Sequence, residues 1–279
     1  MYKILLAIIT ISSLSQLSAQ TDRIKGNRAP VTKIHSLDAF NSLQIGENFE
    51  VTLVPGSEPK LEINADDNLH EYISFEVINN SLVITTTARI TSKKELSLRV
   101  YFQPGLEKIF LQNDVSLKTL TQDSDFGAKL VIELKEDARI EGSFKAKQLV
   151  YKSADYSRGE IQLQATDSLH LALSNSSKLK ADVSGRNMQL SLGDRVDAEL
   201  KGSVNGNNVF NASGKVSLKA DALVVERLSI DLSEQSSAWV NVTDVIEIKA
   251  SGRSKLYLYN TPAAFSLLKL NDEAMIQKQ

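Results

Sequence analysis

Asp155 and Asp194 come nearest to a catalytic arrangement in this chain. They hold the same place in two short corner segments, Ala154-Asp155-Tyr156-Ser157 and Gly193-Asp194-Arg195-Val196. If such corners stack two coils apart, rungs of ~4.8 Å put the carboxyls roughly 9.6 Å apart. That lies near the upper end of the ~6.5–9.5 Å spacing of an inverting carboxylate pair. The corner between them offers Asn175 rather than an acid, and Lys178 and Arg195 nearby suit solvated turns. A carbohydrate-active enzyme using these two acids is therefore the alternative, and the main expectation is a non-enzyme with no catalytic residue. The histidines, His35, His70 and His170, stand in unrelated contexts with no second His or Cys at ligand spacing, so no metal centre is expected. Asp66-Asp67-Asn68 offers hard oxygen ligands without the spaced acids of a calcium loop. It reads more simply as the cap and first turn of a short helix over Asp66–Ile73. No cofactor is implied.

Aromatic side chains are the remaining candidates. Tyr257 and Tyr259 alternate with Leu256 and Leu258, so inward leucines would turn both tyrosines outward; Tyr151 and Tyr156 are expected on the outer surface of an earlier coil. Outward tyrosines stack on sugar rings or seal a subunit contact. These four form the expected ligand-binding set. Trp239, beside Val240 and Val242, reads as a corner or core filler.

The elements that must carry these residues form a repeat. Corners at Ala154–Ser157, Ser174–Ser177, Gly193–Val196, Ser213–Val216, Ser233–Ser236 and Ser251–Ser254 recur every 18 to 20 residues. Between them apolar and polar residues alternate: Leu169, Leu171 and Leu173 against His170 and Ala172, then Leu228, Ile230 and Leu232 against Ser229 and Asp231. One apolar face per strand is the pattern of a filled solenoid. An antiparallel sandwich would need hairpins every ~8–12 residues. No proline occurs between Pro104 and Pro262, which suits strands paired on both sides. The expected fold is all-β, a right-handed parallel β-helix with coils of about 20 residues, its hand taken from the general rule for parallel connections.

Residues 1–19 have one early lysine, an apolar stretch from Ile4 to Leu17 and small residues at the end, and read as a secretory signal peptide. Residues 20–36 read as a polar lead-in. Residues 37–262 are the β-helical domain, divided into an amino-terminal β part at 37–105 and repeated coils at 106–262, and residues 263–279 are a carboxy-terminal cap or tail. The chain has no cysteine, so no disulfide framework supports it. Its net charge of −2, from 32 basic and 34 acidic residues spread along the chain, argues against a nucleic-acid partner. After signal cleavage no segment is apolar enough to span a bilayer.

The amino-terminal part resembles a known family. The segments Leu37-Asp38-Ala39-Phe40-Asn41-Ser42-Leu43, Ile45-Gly46, Phe49-Glu50-Val51-Thr52-Leu53, Gly56, Leu61 to Leu69 and Leu82-Val83-Ile84 are similar to the head GIN domain of exported Bacteroidetes proteins, described as an autotransporter-adhesin head. The likeness extends from about Lys25 to Tyr259. It implies an exported β-helical module and carries no catalytic motif. Gln112-Asn113-Asp114 departs from the family's Ser/Gly-rich corners, so a wider corner is expected there. The segment after Pro262 is too short for a membrane barrel, which needs at least eight strands of ~9–11 residues. The expected role is adhesin-like or scaffolding, in the periplasm, on the outer membrane or outside the cell. Expected partners are a polysaccharide, an envelope protein or a second copy.

Overall fold

The structure, a computed structural model, describes residues 22–120 and 124–279. The signal peptide expected at residues 1–19 lies outside the described residues. The chain is a β-solenoid of stacked parallel coils. From Arg139 onward each coil has a long stretch, such as 158–165, and a short one, such as 169–173, joined by a bend and closed by a tight turn. Register is held residue by residue: Ile140, Gly159, Leu179, Ala198, Leu218, Ala238 and Leu256 form one inward column of the long stretch. In the short stretch Ile132, Tyr151, Leu171, Leu190, Phe210, Ile230 and Ile248 do the same. Alternation thus becomes a continuous apolar core, in which these side chains are almost fully buried.

The turns stack as well. Asn113/Asp114, Glu136/Asp137, Asp155/Tyr156 and Asn175/Ser176 each place two successive residues at positive φ, while Asp194, Gly214, Glu234, Gly252 and Asp272 supply one per turn. The change reverses the bonds between turns. In the early turns the N–H groups of Asp114, Asp137 and Tyr156 donate onward to the carbonyls of Glu136, Asp155 and Asn175; in the late ones Lys215, Gln235 and Arg253 donate back to Asp194, Gly214 and Glu234. The Gln112–Asp114 corner is not widened, because Asn113 and Asp114 adopt the same left-handed pair as the turns that follow. Small inward residues, among them Ser157, Ser177, Ser236 and Ser254, fill the turn side of the core. Their hydroxyls are kept bonded locally, as where Ser157 donates to the Ala154 carbonyl at 2.6 Å and Ser236 to that of Ser233 at 2.8 Å.

The two ends differ from the sequence reading. The polar lead-in contains a strand: Pro30–Ser36 is antiparallel to Lys60–Asp66, which is in turn antiparallel to Leu96–Phe102. Ile73–Ile78 closes the neighbouring side antiparallel to Ser81–Thr86. Alternation is the same for parallel and antiparallel strands, so the reversal left no mark in the pattern. The short helix is a 3-10 turn, Asp67–Tyr72, and Asp66 makes no side-chain cap. At the other end residues 263–279 are not a separate cap or tail. Ala264–Leu270 and Met275–Lys278 add one more parallel coil on Ser237–Ala250 and Lys255–Tyr259.

Candidate functional site

Parity decides which side chains reach solvent. On the long stretch Ala238, Val240 and Val242 point inward, which turns Trp239 out; Leu256 and Leu258 do the same for Tyr257 and Tyr259. Register then sets Trp239 directly beside Tyr257, and Asn241 beside Tyr259. The indole and phenol rings lie parallel, centroids 4.9 Å apart and planes 9° from each other. That distance is the rung spacing of the ladder, so the backbone itself holds the stack. Trp239 is therefore a surface residue and not the core filler its valine neighbours suggested. The same alternation, read one strand further, would have found it.

The column holding the pair continues along the face as Glu160, Lys180, Glu199, Lys219, Trp239, Tyr257 and Gln277. Beside Lys219 it enters a shallow groove of about 620 Å³, whose floor includes Arg139, Arg158 and Lys178 in one column and Glu141 and Glu160 in the next. Arg139 pairs with Asp114 at 3.1 Å and Lys178 with Asp197 at 3.5 Å. Arg158, Glu160 and Lys219 have no ion-pair partner among the described residues. A flat aromatic step at the end of a groove with free charges of both signs can hold an extended polar ligand by stacking and many hydrogen bonds.

The four tyrosines are not gathered into one site. Tyr151 is a correction: it shares the inward parity of Leu149 and Ser153, stands in register between Ile132 and Leu171, and is fully buried. Its hydroxyl has no hydrogen-bond partner among the described residues. Burial pushes the phenol up, and the neighbouring Ser153 hydroxyl opposes the shift. Gly159 makes room for it, since a Cβ there would stand 2.4 Å from the Tyr151 oxygen. Tyr156 is exposed, at a turn where it adopts φ 66°. Five rungs separate its coil from that of Tyr257, roughly 24 Å along the axis.

Asp155 and Asp194 do share the turn column, with Asn175 between them. The Asn175 amide donates to the Asp155 carboxylate at 2.9 Å, so this carboxylate is tied into the turn rather than aimed at a cleft. The Asp66-Asp67-Asn68 segment is used internally. Asp66 is buried and accepts from the Lys94 N–H at 3.0 Å, Asp67 pairs with Lys33 at 3.6 Å, and the Asn68 side chain accepts from the Asn27 N–H at 2.8 Å and donates to the Lys25 carbonyl at 2.9 Å. His35 packs on Phe75, His70 meets the Val31 carbonyl at 3.0 Å and His170 meets Gln189. Among the described residues no group of three or more His, Asp or Glu is placed to hold a metal ion, and no helix is long and apolar enough to cross a membrane.

Comparison with known proteins agrees with this architecture. A crystal structure of a "putative adhesin" from Parabacteroides distasonis superposes with a TM-score of 0.67 at 15% identity, covering 92% of this chain and 100% of the other. A "putative lipid binding protein" from the same species gives 0.62 at 16% identity, with 92% and 100% covered. A "putative adhesin" from Parabacteroides merdae gives 0.59 at 15% identity, with 92% and 99% covered. At these identities the likeness is one of fold. Curated proteins give no match. A family model matches residues 39–262, most of the 279-residue chain, and the protein belongs to that family, described as "Putative auto-transporter adhesin, head GIN domain".

Proposed function

We propose that the protein is an exported, non-catalytic, adhesin-like module that recognises a glycan along the outer face of its long stretch. The observation that carries this reading is the outward Trp239–Tyr257 stack, held at 4.9 Å by the ladder and continued by Tyr259. An outward, half-buried aromatic pair on a rigid face, flanked by Lys219, Asn241 and Gln277, offers a sugar ring both an apolar surface and hydrogen-bonding groups. The family description and the adhesin neighbours support the export and adhesion parts of the reading. A lipid ligand, as described for one neighbour, fits this face less well, because an acyl chain wants an apolar cleft and the groove beside the stack is charged.

Trp239 is the only tryptophan in the chain, so its fluorescence reports on the platform alone. A glycan array probed with the purified protein should yield a hit that changes this emission on titration. Trp239→Ala should weaken that hit at least ~10-fold, about 1.4 kcal/mol, with Tyr156→Ala leaving it unchanged. An array without hits, or a hit that Trp239→Ala and Tyr257→Ala leave intact, would overturn the platform.

A further inference from the structure

The last coil is unfinished as a surface. Ile246, Ile248 and Ala250 are buried, yet their register partners Phe265, Leu267 and Leu270 are 52%, 46% and 45% exposed. Both sets occupy the same inward columns; the first is covered by the second, whereas among the described residues no strand pairs with the second on its far side. A register shift between Leu267 and Lys269 extrudes Leu268, and Met275 on the adjoining strand, in the outward column of Lys255, is exposed at the rim. Five half-exposed apolar side chains present on the order of 400–500 Å², as large as the biggest patch on a typical monomer. The backbone is open as well. Among the described residues Ala264–Leu270 pairs only with the strand before it, and so does Met275–Lys278, so a whole row of N–H and C=O groups faces outward.

We infer that this end docks against the same end of a second copy, giving a two-fold dimer joined end to end. A strand edge carries donors and acceptors in alternation and is therefore complementary to its own image across a two-fold axis. The cross-section to be covered is that of one coil, and another coil of this chain has the matching outline. The rim carries Lys269 with Asp272 and Glu273, and Lys278, in the column of Leu258, donates back to the Thr261 hydroxyl at 2.8 Å, so two copies meet without net repulsion, whereas an anionic lipid surface would call for a basic rim. With backbone and rim included, the joint approaches the ~800 Å² per partner of a standard interface. The opposite end is less suited to the role: its edge strand Pro30–Ser36, paired only with Lys60–Asp66 among the described residues, carries a proline and turns Lys33 and His35 into the inward columns of Ile63 and Leu61. Tyr257 lies one rung from the joint, so the dimer presents two aromatic platforms to a multivalent ligand.

Sedimentation velocity on the purified protein from about 1 to about 100 μM should show a dimer. Leu268→Glu and, separately, Met275→Glu should weaken it at least ~100-fold with melting temperatures within ~2 °C of the parent, because both side chains already face solvent. The chain has no cysteine, so Leu268→Cys supplies a single thiol that should link two copies on oxidation, while Ile34→Cys at the other end should not. A monomer throughout the range overturns the proposal. So does dispersal by Ile34→Asp, which would mean head-to-tail stacking, and so does a monomer that floats with phosphatidylcholine/phosphatidylglycerol vesicles and loses them in Leu268→Glu, which would assign the patch to lipid.

Discussion

The two ends of the solenoid solve the same problem differently. At the amino-terminal end the chain reverses direction, and Pro30–Ser36, Lys60–Asp66 and Ile73–Ile78 lie antiparallel over the first coils. At the carboxy-terminal end the parallel repeat continues into Ala264–Leu270, which among the described residues has no strand paired on its far side. Ile63 and Leu267 show the consequence. Both are inward aliphatic residues in regular strands, but Ile63, with Pro30–Ser36 as a further rung beyond it, is 1% exposed, whereas Leu267 on the edge strand is 46% exposed. A parallel repeat has no internal means of ending itself, because every coil offers the same edge to the next. Closure requires a segment that breaks the repeat.

The sharpest way to break the comparison is one substitution made at both ends. Ile63→Asp buries a carboxylate beside Leu98, where Lys33, the cation in register with it, is already paired with Asp67 at 3.6 Å, and should cost at least ~3–5 kcal/mol, enough to lose cooperative folding. Leu267→Asp should cost less than ~1 kcal/mol in urea unfolding of the monomer, its effect falling on association. Equal losses of stability at the two positions would show that the last coil is covered within the monomer after all.

A coil in the middle, covered on both sides, should behave like the closed end. Tyr151→Ala should cost about 3–5 kcal/mol through the cavity it leaves, while Tyr151→Phe, which removes only an unpaired hydroxyl, should be neutral or stabilising. The pH dependence separates the two effects. Burial raises the Tyr151 phenol in the folded state, so below the ordinary tyrosine value of ~10 both states are protonated and the full stability is present. As pH rises above that value the unfolded chain ionises first, and stability falls by up to ~1.4 kcal/mol per pH unit. Melting temperatures recorded from neutral to alkaline pH should therefore drop more steeply in the parent than in Tyr151→Phe; parallel curves would place the hydroxyl in contact with water.

How much of this could be read in advance follows from what alternation encodes. Leu169/Leu171/Leu173 and Leu228/Ile230/Leu232 announced a face and a period, and the Ser/Gly corners announced the stacking. Direction was not encoded, so the antiparallel strand at 60–66 read like any other, and the strand at 30–36, whose residues are mostly polar, read as a lead-in. Tyr151 was misplaced because half-buried Val150 beside it competes for the inward position; Lys152 breaks the tie in favour of Tyr151. The final coil went unseen because its turn, Asn271-Asp272-Glu273-Ala274, lacks the serine or glycine of the earlier corners. Asp272 nevertheless adopts the left-handed conformation, φ 59°, that those corners use. The Trp239–Tyr257 pair depends on register between coils, which only their 18-residue separation hinted at.

Glycines sharpen the contrast between close-fitting and open surroundings. At the closed end a Cβ on Gly26 would stand 2.0 Å from the Asp66 carboxylate, which is itself held by the Lys94 N–H. Gly26→Ala should therefore cost about 1–3 kcal/mol. Gly193 sits at a turn with nothing within 4 Å of such a Cβ, and Gly193→Ala should be neutral or stabilise by up to ~1 kcal/mol through the unfolded chain. Urea midpoints of the two variants would test this, and a loss at Gly193 as large as at Gly26 would mean that the turns tolerate as little change as the cap.

The smallest effect concerns Tyr156, where exposure comes with strain. Most turn residues at positive φ here are Asn, Asp, Glu or Gly, and Tyr156 is the one aromatic side chain among them. Its ring is 58% exposed, so little packing offsets the left-handed backbone, which costs a typical L-residue roughly 1–2 kcal/mol. Asparagine tolerates that conformation through its short polar side chain, and the backbone bond from residue 156 to the Asn175 carbonyl at 3.1 Å needs no particular side chain. Tyr156→Asn should therefore raise stability by about 1 kcal/mol, seen as a higher urea midpoint with an unchanged slope. A loss instead of a gain would show that the ring contributes packing along the turn column that offsets its strain.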